Sequence, residues 1–218
     1  MSKTWLEIWI EALFQRTRRD ARRADIARLR LCGWLTVHES AHVIVSWFSP
    51  FVSSITSVNV SDSDGGQVVA LLHFDCPPFD WDILSIDLAG IAGELSVFDT
   101  FNPKKSRADL LSALEIAERL RMRCVEPETA MLWKFRSGAP VPDFAQVFRE
   151  TKPRETLKLM KIGYWHAREV ILDKWPLFMR LAEELTDRKT LDECDLEKIL
   201  GAPTVMDEAS VKFIRSMY

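Results

Sequence analysis

The stretch "LTVHESAHVIVSWF", residues 35–48, is the most informative part of this sequence, because it holds two of the four histidines of the chain. Positions i and i+4 of an α-helix lie one above the other on the same face, so His38 and His42 can point at one ion. Zinc takes imidazole nitrogens at about 2.0–2.1 Å, and a rigid helix holds two of them well. Glu39 lies one step round the helix, where it can reach a metal-bound water and act as a general base.

The alternative is that both histidines are ordinary helix residues. The pattern His-Glu-x-x-His fixes only three letters, and it also arises by chance. The apolar flank "HVIVSWF", residues 42–48, indicates that the helix is buried. Buried imidazoles without partners are costly, which favours a ligand role. A catalytic zinc site then needs a third protein ligand and an open fourth position.

Several residues could supply that third ligand, and spacing alone does not choose among them. Glu94, on the next long predicted helix, would suit a zinc peptidase whose third ligand is a glutamate. Asp109 has a simpler explanation, since Ser106 followed three residues later by an acid resembles a helix capping box. The candidates all carry an imidazole or a carboxylate: His73, Glu94, Asp99, Asp109 and His166.

The rest of the pattern predicts a mainly α protein with one small β element. Two β-branched stretches flank the turn-forming "SDSDGG" and predict a hairpin. Gly33 marks a joint between the first two helices, and Ser49-Pro50 ends the second. Thr190 or Asp192 caps a last short helix that Gly201 stops. The predicted helices cover 4–31, 34–48, 81–98, a segment from 106 and most of the C-terminal third; the strands cover 54–60 and 67–74, and the loops 76–80 and 101–105.

Composition and charge narrow the class of protein. The chain has 218 residues, 47% of them hydrophobic, with a net charge of -3, so no overall preference for nucleic acid is expected. Residues 16–30 are a local exception, with seven arginines against two aspartates. This run is typical of a solvated helix face. It would also fit a docking surface for an acidic partner or for anionic lipid headgroups.

Cysteine usage and hydropathy bear on the compartment. The four cysteines are widely spaced and form no Cys-x-x-Cys pair, which argues against a disulfide framework or a cysteine zinc knuckle. Glu7 and Glu11 interrupt the first apolar run, so no signal peptide is predicted. No uncharged stretch reaches the roughly 20 residues of a membrane span. We expect a reduced, cytoplasmic protein with no transmembrane segment.

The order of motifs resembles the zinc-peptidase domain of the FtsH-type AAA proteases. In that family a His-Glu-Ala-Gly-His helix is followed by a strand, a helix with a Gly-Gly-Arg-Ala-Ala-Glu-Glu pattern, and an Asn-Asp-Leu segment that opens the next helix. Here the corresponding segments are "HESAH", "IDLAGIAGELSVF" and "SRADLLSALEIAERL", and "RLAEELTDRKTLDECDLEKIL" is similar to the family's final helices. The resemblance covers about residues 30–200.

The resemblance implies roles for five residues. His38 and His42 match the first two zinc ligands, and Glu39 matches the catalytic base. Asp109 matches the aspartate of Asn-Asp-Leu and becomes the third ligand, with capping a role it could share. Glu94 matches a glutamate of the family pattern. It would either orient a ligand imidazole through a hydrogen bond or be a buried charge that pairs with another group. Three family residues are replaced, by Ala41, Ile91 and Ala108.

The resemblance also implies a peptidase function, but the ATPase module of that family is missing from this sequence. No Gly-x-x-x-x-Gly-Lys-Ser/Thr loop is present, so there is no phosphate cradle for ATP. We expect a free-standing zinc metalloendopeptidase for flexible or unfolded peptides, with a separate ATPase or a homo-oligomer as possible partners and no nucleic acid. The alternative is a non-catalytic binding or regulatory module with the same fold. The expected organisation is a basic amphipathic helix (1–30), a metal-binding peptidase core (31–125) and a C-terminal helical region of the same domain (126–218).

Overall fold

A computed structural model describes residues 22–61, 65–72, 77–123, 141–148 and 151–203. The described residues form a mainly helical protein with a small antiparallel sheet, as the sequence predicts. Residues 22–32 are helical and are called α1. The other elements are α2 (Trp34–Trp47), β1 (Val52–Ser61), β2 (Gly65–Leu72), α3 (Pro77–Asp87), α4 (Ala89–Phe98), α5 (Arg107–Met122), α6 (Phe144–Val147), α7 (Arg154–Asp173), α8 (Trp175–Arg188), β3 (Thr190–Asp192) and α9 (Glu193–Leu200).

Helix α2 is the centre of the fold. Gly33 has a φ of 89°, a left-handed conformation that glycine adopts at no steric cost, and it separates α1 from α2 as predicted. Every residue from 36 to 47 is buried. The helix packs against α4, α8, β1 and β2. The prediction that the histidine helix is buried is therefore confirmed, and both histidines lie inside the protein.

The sheet places one strand beside the histidine helix. Strands β1 and β2 pair antiparallel, so the predicted hairpin is confirmed. Its turn, residues 62–64, lies outside the described residues. The strand order is β2-β1-β3, which makes β2 an edge strand. Strand β3 was not predicted; it is only three residues long and pairs with the middle of β1.

Two predictions between the hairpin and α5 are wrong. Residues 76–80 were expected to be a loop, but α3 begins at Pro77, because proline is well tolerated in the first turn of a helix. The helix predicted over 81–98 is two helices, with a break at Leu88. A continuous apolar pattern does not reveal such a break, since both helices bury their apolar residues.

The helix ends agree better with the sequence. Residues 103–106 form turns before α5, as expected for "FNPKK". Asp192, the last residue of β3, caps α9 through a reciprocal capping box with Asp195, so Thr190, the other predicted cap, is not the capping residue. Gly201 follows the last turn of α9. One hydrophobic core joins α2, α4 and α5 to α7 and α8.

In the described part of the arginine-rich segment Arg23, Arg28 and Arg30 are exposed, and some of the arginine side chains also contact the rest of the protein. The Arg22 guanidinium lies 4.9 Å from the Trp175 ring centroid. Arg28 pairs with Glu183, and Arg30 donates to the Val97 carbonyl at 2.7 Å. The predicted helix over 4–21 lies outside the described residues. Among the helices that are described, none combines the length and the apolar character needed to cross a membrane.

Candidate metal centre

Three side-chain atoms from two helices converge on one point. His38 Nε2 lies 3.0 Å from His42 Nε2 and 3.1 Å from Asp109 Oδ2. His42 Nε2 lies 3.7 Å from the same carboxylate oxygen. A tetrahedral metal bound at about 2.0–2.1 Å separates its ligand atoms by about 3.3 Å. The triangle therefore has the dimensions of one face of a tetrahedral site, and these three residues could hold a metal ion.

Hydrogen bonds at the far side of each ring fix which nitrogen faces this point. His42 Nδ1 lies 2.8 Å from the Ile86 carbonyl oxygen, which can only accept, so Nδ1 carries the proton. His38 Nδ1 lies 2.6 Å from Glu94 Oε1 and donates to that carboxylate. Each neutral ring then presents an Nε2 lone pair. Two lone pairs and a carboxylate at this distance repel each other unless a metal ion or a proton lies between them.

Glu94 ties His38 to the loop before α5. The Glu94 side chain is fully buried. Besides the His38 ring, it accepts from the Asn102 backbone N–H at 3.2 Å and from the Ser106 hydroxyl at 3.3 Å. Ser106 occupies the position before α5 but makes no capping bond, so the predicted capping box with Asp109 is wrong. The hydroxyl is used by Glu94 instead, and the Asp109 carboxylate faces the histidines.

The carboxylates control the charge of the centre without metal. Burial disfavours the charged form of His38, but the Asp109 and Glu94 carboxylates outweigh it and raise the pKa of His38 to about 10. Burial likewise opposes ionisation of Asp109, yet the two imidazoles hold the pKa of Asp109 well below its usual range. The metal-free centre thus contains an ionised aspartate and a protonated His38, whose proton sits where a metal would bind.

Glu39 lies beside this centre in an open cleft. The cleft has a volume of about 240 Å³, and its wall includes Glu39, His42, Asp109 and residues 66–68 of β2. Glu39 is only 7% exposed. Burial raises the pKa of Glu39, which suits a carboxylate that must take up a proton during a reaction. The predicted base and two of the three predicted ligands therefore line one cavity.

Glycines let the neighbouring elements approach the site. A Cβ at Gly66 of β2 would overlap the Glu39 carboxylate, and a Cβ at Gly90 of α4 would overlap the His38 ring. A Cβ at Gly93 would come within 2.6 Å of the Ala41 side chain. A side chain at any of these positions would force the neighbouring group to move. The glycines of "AGIAGEL" thus allow α4 to pack closely on α2 and bring Glu94 to His38.

Two of the other candidate ligands, Asp99 and His166, are not part of this centre. Asp99 lies at the end of α4, where its side chain is 80% exposed and pairs with Arg30. His166 lies on α7, where its Nδ1 is 2.9 Å from the Ser85 hydroxyl. It borders a separate cavity with Asp82 and Ser49. His73 lies outside the described residues.

Two residues of the site were not predicted from the sequence. The Ile86 carbonyl orients His42, and the Asp87 carboxylate lines the cleft. Burial raises the pKa of Asp87 to about 6. Ile86 acts through its backbone, so its side chain carries no signal. Asp87 stands between Ile86 and Leu88 in an otherwise apolar stretch, and such an isolated acid could have drawn attention.

Comparison with known proteins adds no assignment: no family model matches this chain, and no curated protein matches it. The likeness to the FtsH-type peptidase domain therefore remains a prediction from the ordered motifs.

Proposed function

We propose that the protein is a zinc-dependent metallopeptidase. The observation that carries this proposal is the convergence of His38 Nε2, His42 Nε2 and Asp109 Oδ2 next to Glu39 in one cleft. Two imidazoles and one carboxylate are ligands that zinc accepts. Their outer hydrogen bonds, to the Ile86 carbonyl and the Glu94 carboxylate, are of the kind that orients histidine ligands in zinc sites.

The roles of the residues follow from their positions. Zinc, when bound, supplies Lewis-acid activation of water and polarisation of the substrate carbonyl. Glu39 takes the proton of the attacking water and passes it to the leaving amine. Its burial favours the protonated form that the second step needs. Asp109 lies beside the Nε2 atoms of both histidines, and Glu94 accepts a hydrogen bond from His38 Nδ1. Both acids thereby help to orient the histidine rings.

A catalytic site is favoured over a structural one by the number of ligands. Structural zinc sites are closed by four protein ligands, whereas catalytic sites have three and an open position. Among the described residues, the group that could hold a metal has three members. Two members of this group, His42 and Asp109, line the cleft together with Glu39. A non-catalytic module would not need a buried carboxylate beside the metal group.

The substrate is best explained as an extended peptide. Strand β2 is at the edge of the sheet, and its residues Gly66, Val68 and Ala70 line the cleft. An edge strand offers unpaired backbone groups to which an extended peptide can add as a further strand. Such a substrate must already be unfolded where it binds. Flexible peptides and unfolded segments therefore fit the proposal, with or without a separate unfoldase.

The proposal is tested on purified full-length protein by metal analysis and by cleavage of unfolded casein. We expect about one zinc per chain and cleavage that a chelator abolishes and zinc restores. The Glu39→Gln variant should keep its zinc and lose about 10²–10⁴-fold in rate, the usual contribution of a general base. Asp99→Asn, which changes an exposed carboxylate outside the site, is the matched control and should cleave like the unmodified protein.

Two results would contradict the proposal. Zinc-loaded Glu39→Gln protein that cleaves at the unmodified rate would exclude Glu39 as the base. Stoichiometric zinc without cleavage of any unfolded substrate would favour the binding or regulatory module instead.

A further inference from the structure

The cleft contains one acidic side chain that the proposed chemistry does not use. Asp87 is the last residue of α3, and it directly follows Ile86, whose carbonyl accepts from His42. Its side chain lines the same cleft as Glu39 and Asp109. It does not belong to the group of three that could hold a metal. A carboxylate therefore sits beside the reaction centre with no assigned role.

The hydrogen bonding of Asp87 is incomplete. The Ser112 hydroxyl of α5 lies beside the carboxyl group. The Oδ2 atom is buried and has no hydrogen-bond partner within the part of the chain that the structure describes. A buried acceptor without a partner costs about 1–3 kcal/mol and calls for an explanation. A ligand that donates hydrogen bonds to this carboxyl group when it enters the cleft would supply one.

The charge of the cleft indicates what kind of donor would fit. Its titratable lining consists of three carboxylates and His42, and no lysine or arginine contributes to it among the described residues. A bound metal would offset Asp109, and Glu39 is needed for proton transfer. The charge of Asp87 is then left without a counterion. The adjoining wall includes Ile86, Val68 and Ala70, whose apolar side chains can cover a methylene stem.

We propose that Asp87 binds an ammonium group of the peptide substrate and makes the cleft selective for such substrates. The group is either the side chain of a lysine near the scissile bond or the free α-amino group of the peptide. This inference rests on the proposed peptidase function, because it assigns a substrate class to the same cleft. The ammonium donates charge-assisted hydrogen bonds to the carboxylate.

The test uses binding, which does not depend on turnover. Zinc-loaded full-length protein carrying Glu39→Gln is titrated with unstructured eight-residue peptides labelled at the C-terminus, and fluorescence anisotropy gives Kd. Each peptide has one lysine or its uncharged counterpart norleucine, at each position in turn, with a free or acetylated N-terminus. We expect one ammonium position to tighten binding about tenfold, equivalent to about 1.4 kcal/mol. If replacement of the lysine by norleucine removes the preference, the bound group is the lysine side chain. If acetylation of the N-terminus removes it, the bound group is the α-amino group.

Variants of the acid assign the effect to Asp87. Asp87→Asn should bind all peptides of the series equally, whereas Glu115→Gln, an exposed acid on the neighbouring α5, should keep the preference. Circular dichroism and zinc content show whether Asp87→Asn is folded. If it is not, the peptide series on the Glu39→Gln protein decides alone, and equal binding of charged and uncharged peptides would overturn the inference.

Cleavage by the protein with Glu39 intact separates the two proposals. Cleavage of neutral and cationic peptides at equal rates would overturn the role of Asp87 and leave the peptidase intact. Ammonium-dependent binding lost in Asp87→Asn would support the Asp87 site even if no peptide is cleaved, and it is then the peptidase assignment that fails. A preference that survives in Asp87→Asn would contradict the inference directly.

Discussion

The Nδ1 atom of His38 lies 2.6 Å from Oε1 of Glu94, in a contact that is almost completely shielded from solvent. The pair joins α2 to α4 and, through the Ser106 hydroxyl, to the start of α5. The bond from His38 to Glu94 lies at the side of the ring that faces away from the metal position. Glu94 therefore sets both the tautomer and the orientation of a ligand without being one itself.

Removal of the Glu94 carboxylate should weaken metal binding without abolishing it. Outer hydrogen-bond partners of ligand histidines contribute about 10–100-fold in metal affinity. We expect Glu94→Ala to lose zinc affinity in this range. Glu94→Gln should lose less, because its amide oxygen can still accept from His38 Nδ1. Competition with a chelating dye measures the affinity, and Glu115→Gln serves as the control. An unchanged affinity in Glu94→Ala would mean that His38 is oriented by other contacts.

Replacement of Asp109 should have a larger effect than replacement of Glu94. Asp109 Oδ2 is one of the three converging atoms, so Asp109→Ala leaves two protein ligands. We expect a loss of more than about 100-fold in zinc affinity, beyond the range for an outer partner. The Asp99→Ala variant should bind zinc normally, because the Asp99 side chain is exposed and pairs with Arg30. A greater loss in Glu94→Ala than in Asp109→Ala would identify Glu94 as the ligand and contradict the geometry described above.

Local patterns in the sequence were sufficient for the helix that carries the histidines. Gly33 and Ser49-Pro50 bracket α2, and the spacing of His38 and His42 follows from helical geometry alone. The hairpin was equally predictable, since turn-forming residues separate two β-branched runs. The resemblance to a known family then pointed to Asp109, which spacing had left among five candidates.

The parts that were missed depend on contacts between distant segments. The sequence predicts Ser106 to be a helix cap, but in the folded protein its hydroxyl donates a hydrogen bond to Glu94, 12 positions earlier. The break at Leu88 is hidden in an apolar run, and its consequence, the Ile86 carbonyl aimed at His42, involves a backbone atom. Pairing of β3 with β1 joins residues more than 130 positions apart. No local pattern carries such information.

Gly66 should be required for activity but not for metal binding. A Cβ at this position of β2 would overlap the Glu39 carboxylate, and the three atoms nearest to it all belong to Glu39. We expect Gly66→Ala to keep zinc and to lose cleavage by about 10² or more, as when the base is displaced. Val69→Ala, on the exposed face of the same strand, is the matched control and should cleave normally. Full activity in Gly66→Ala would show that Glu39 does not act from the position described.

Zinc binding should release a proton and become tighter as the pH rises. The neighbouring carboxylates raise the pKa of His38 to about 10, so near neutral pH the metal-free ring is protonated. The metal and this proton compete for Nε2, because Nδ1 donates to Glu94. Below pH 10 each unit of pH should therefore raise the apparent zinc affinity about tenfold. The same proton contributes stability to the metal-free protein below about pH 6.5, and that contribution is lost as the pH rises through about 10.

Calorimetric titration with buffered zinc between pH 6 and 8, in buffers of different ionisation enthalpy, counts the released protons. Glu94→Gln, which removes one of the two carboxylates, should release fewer protons at pH 8. Zinc binding with no proton release in the unmodified protein would contradict the protonated state of His38.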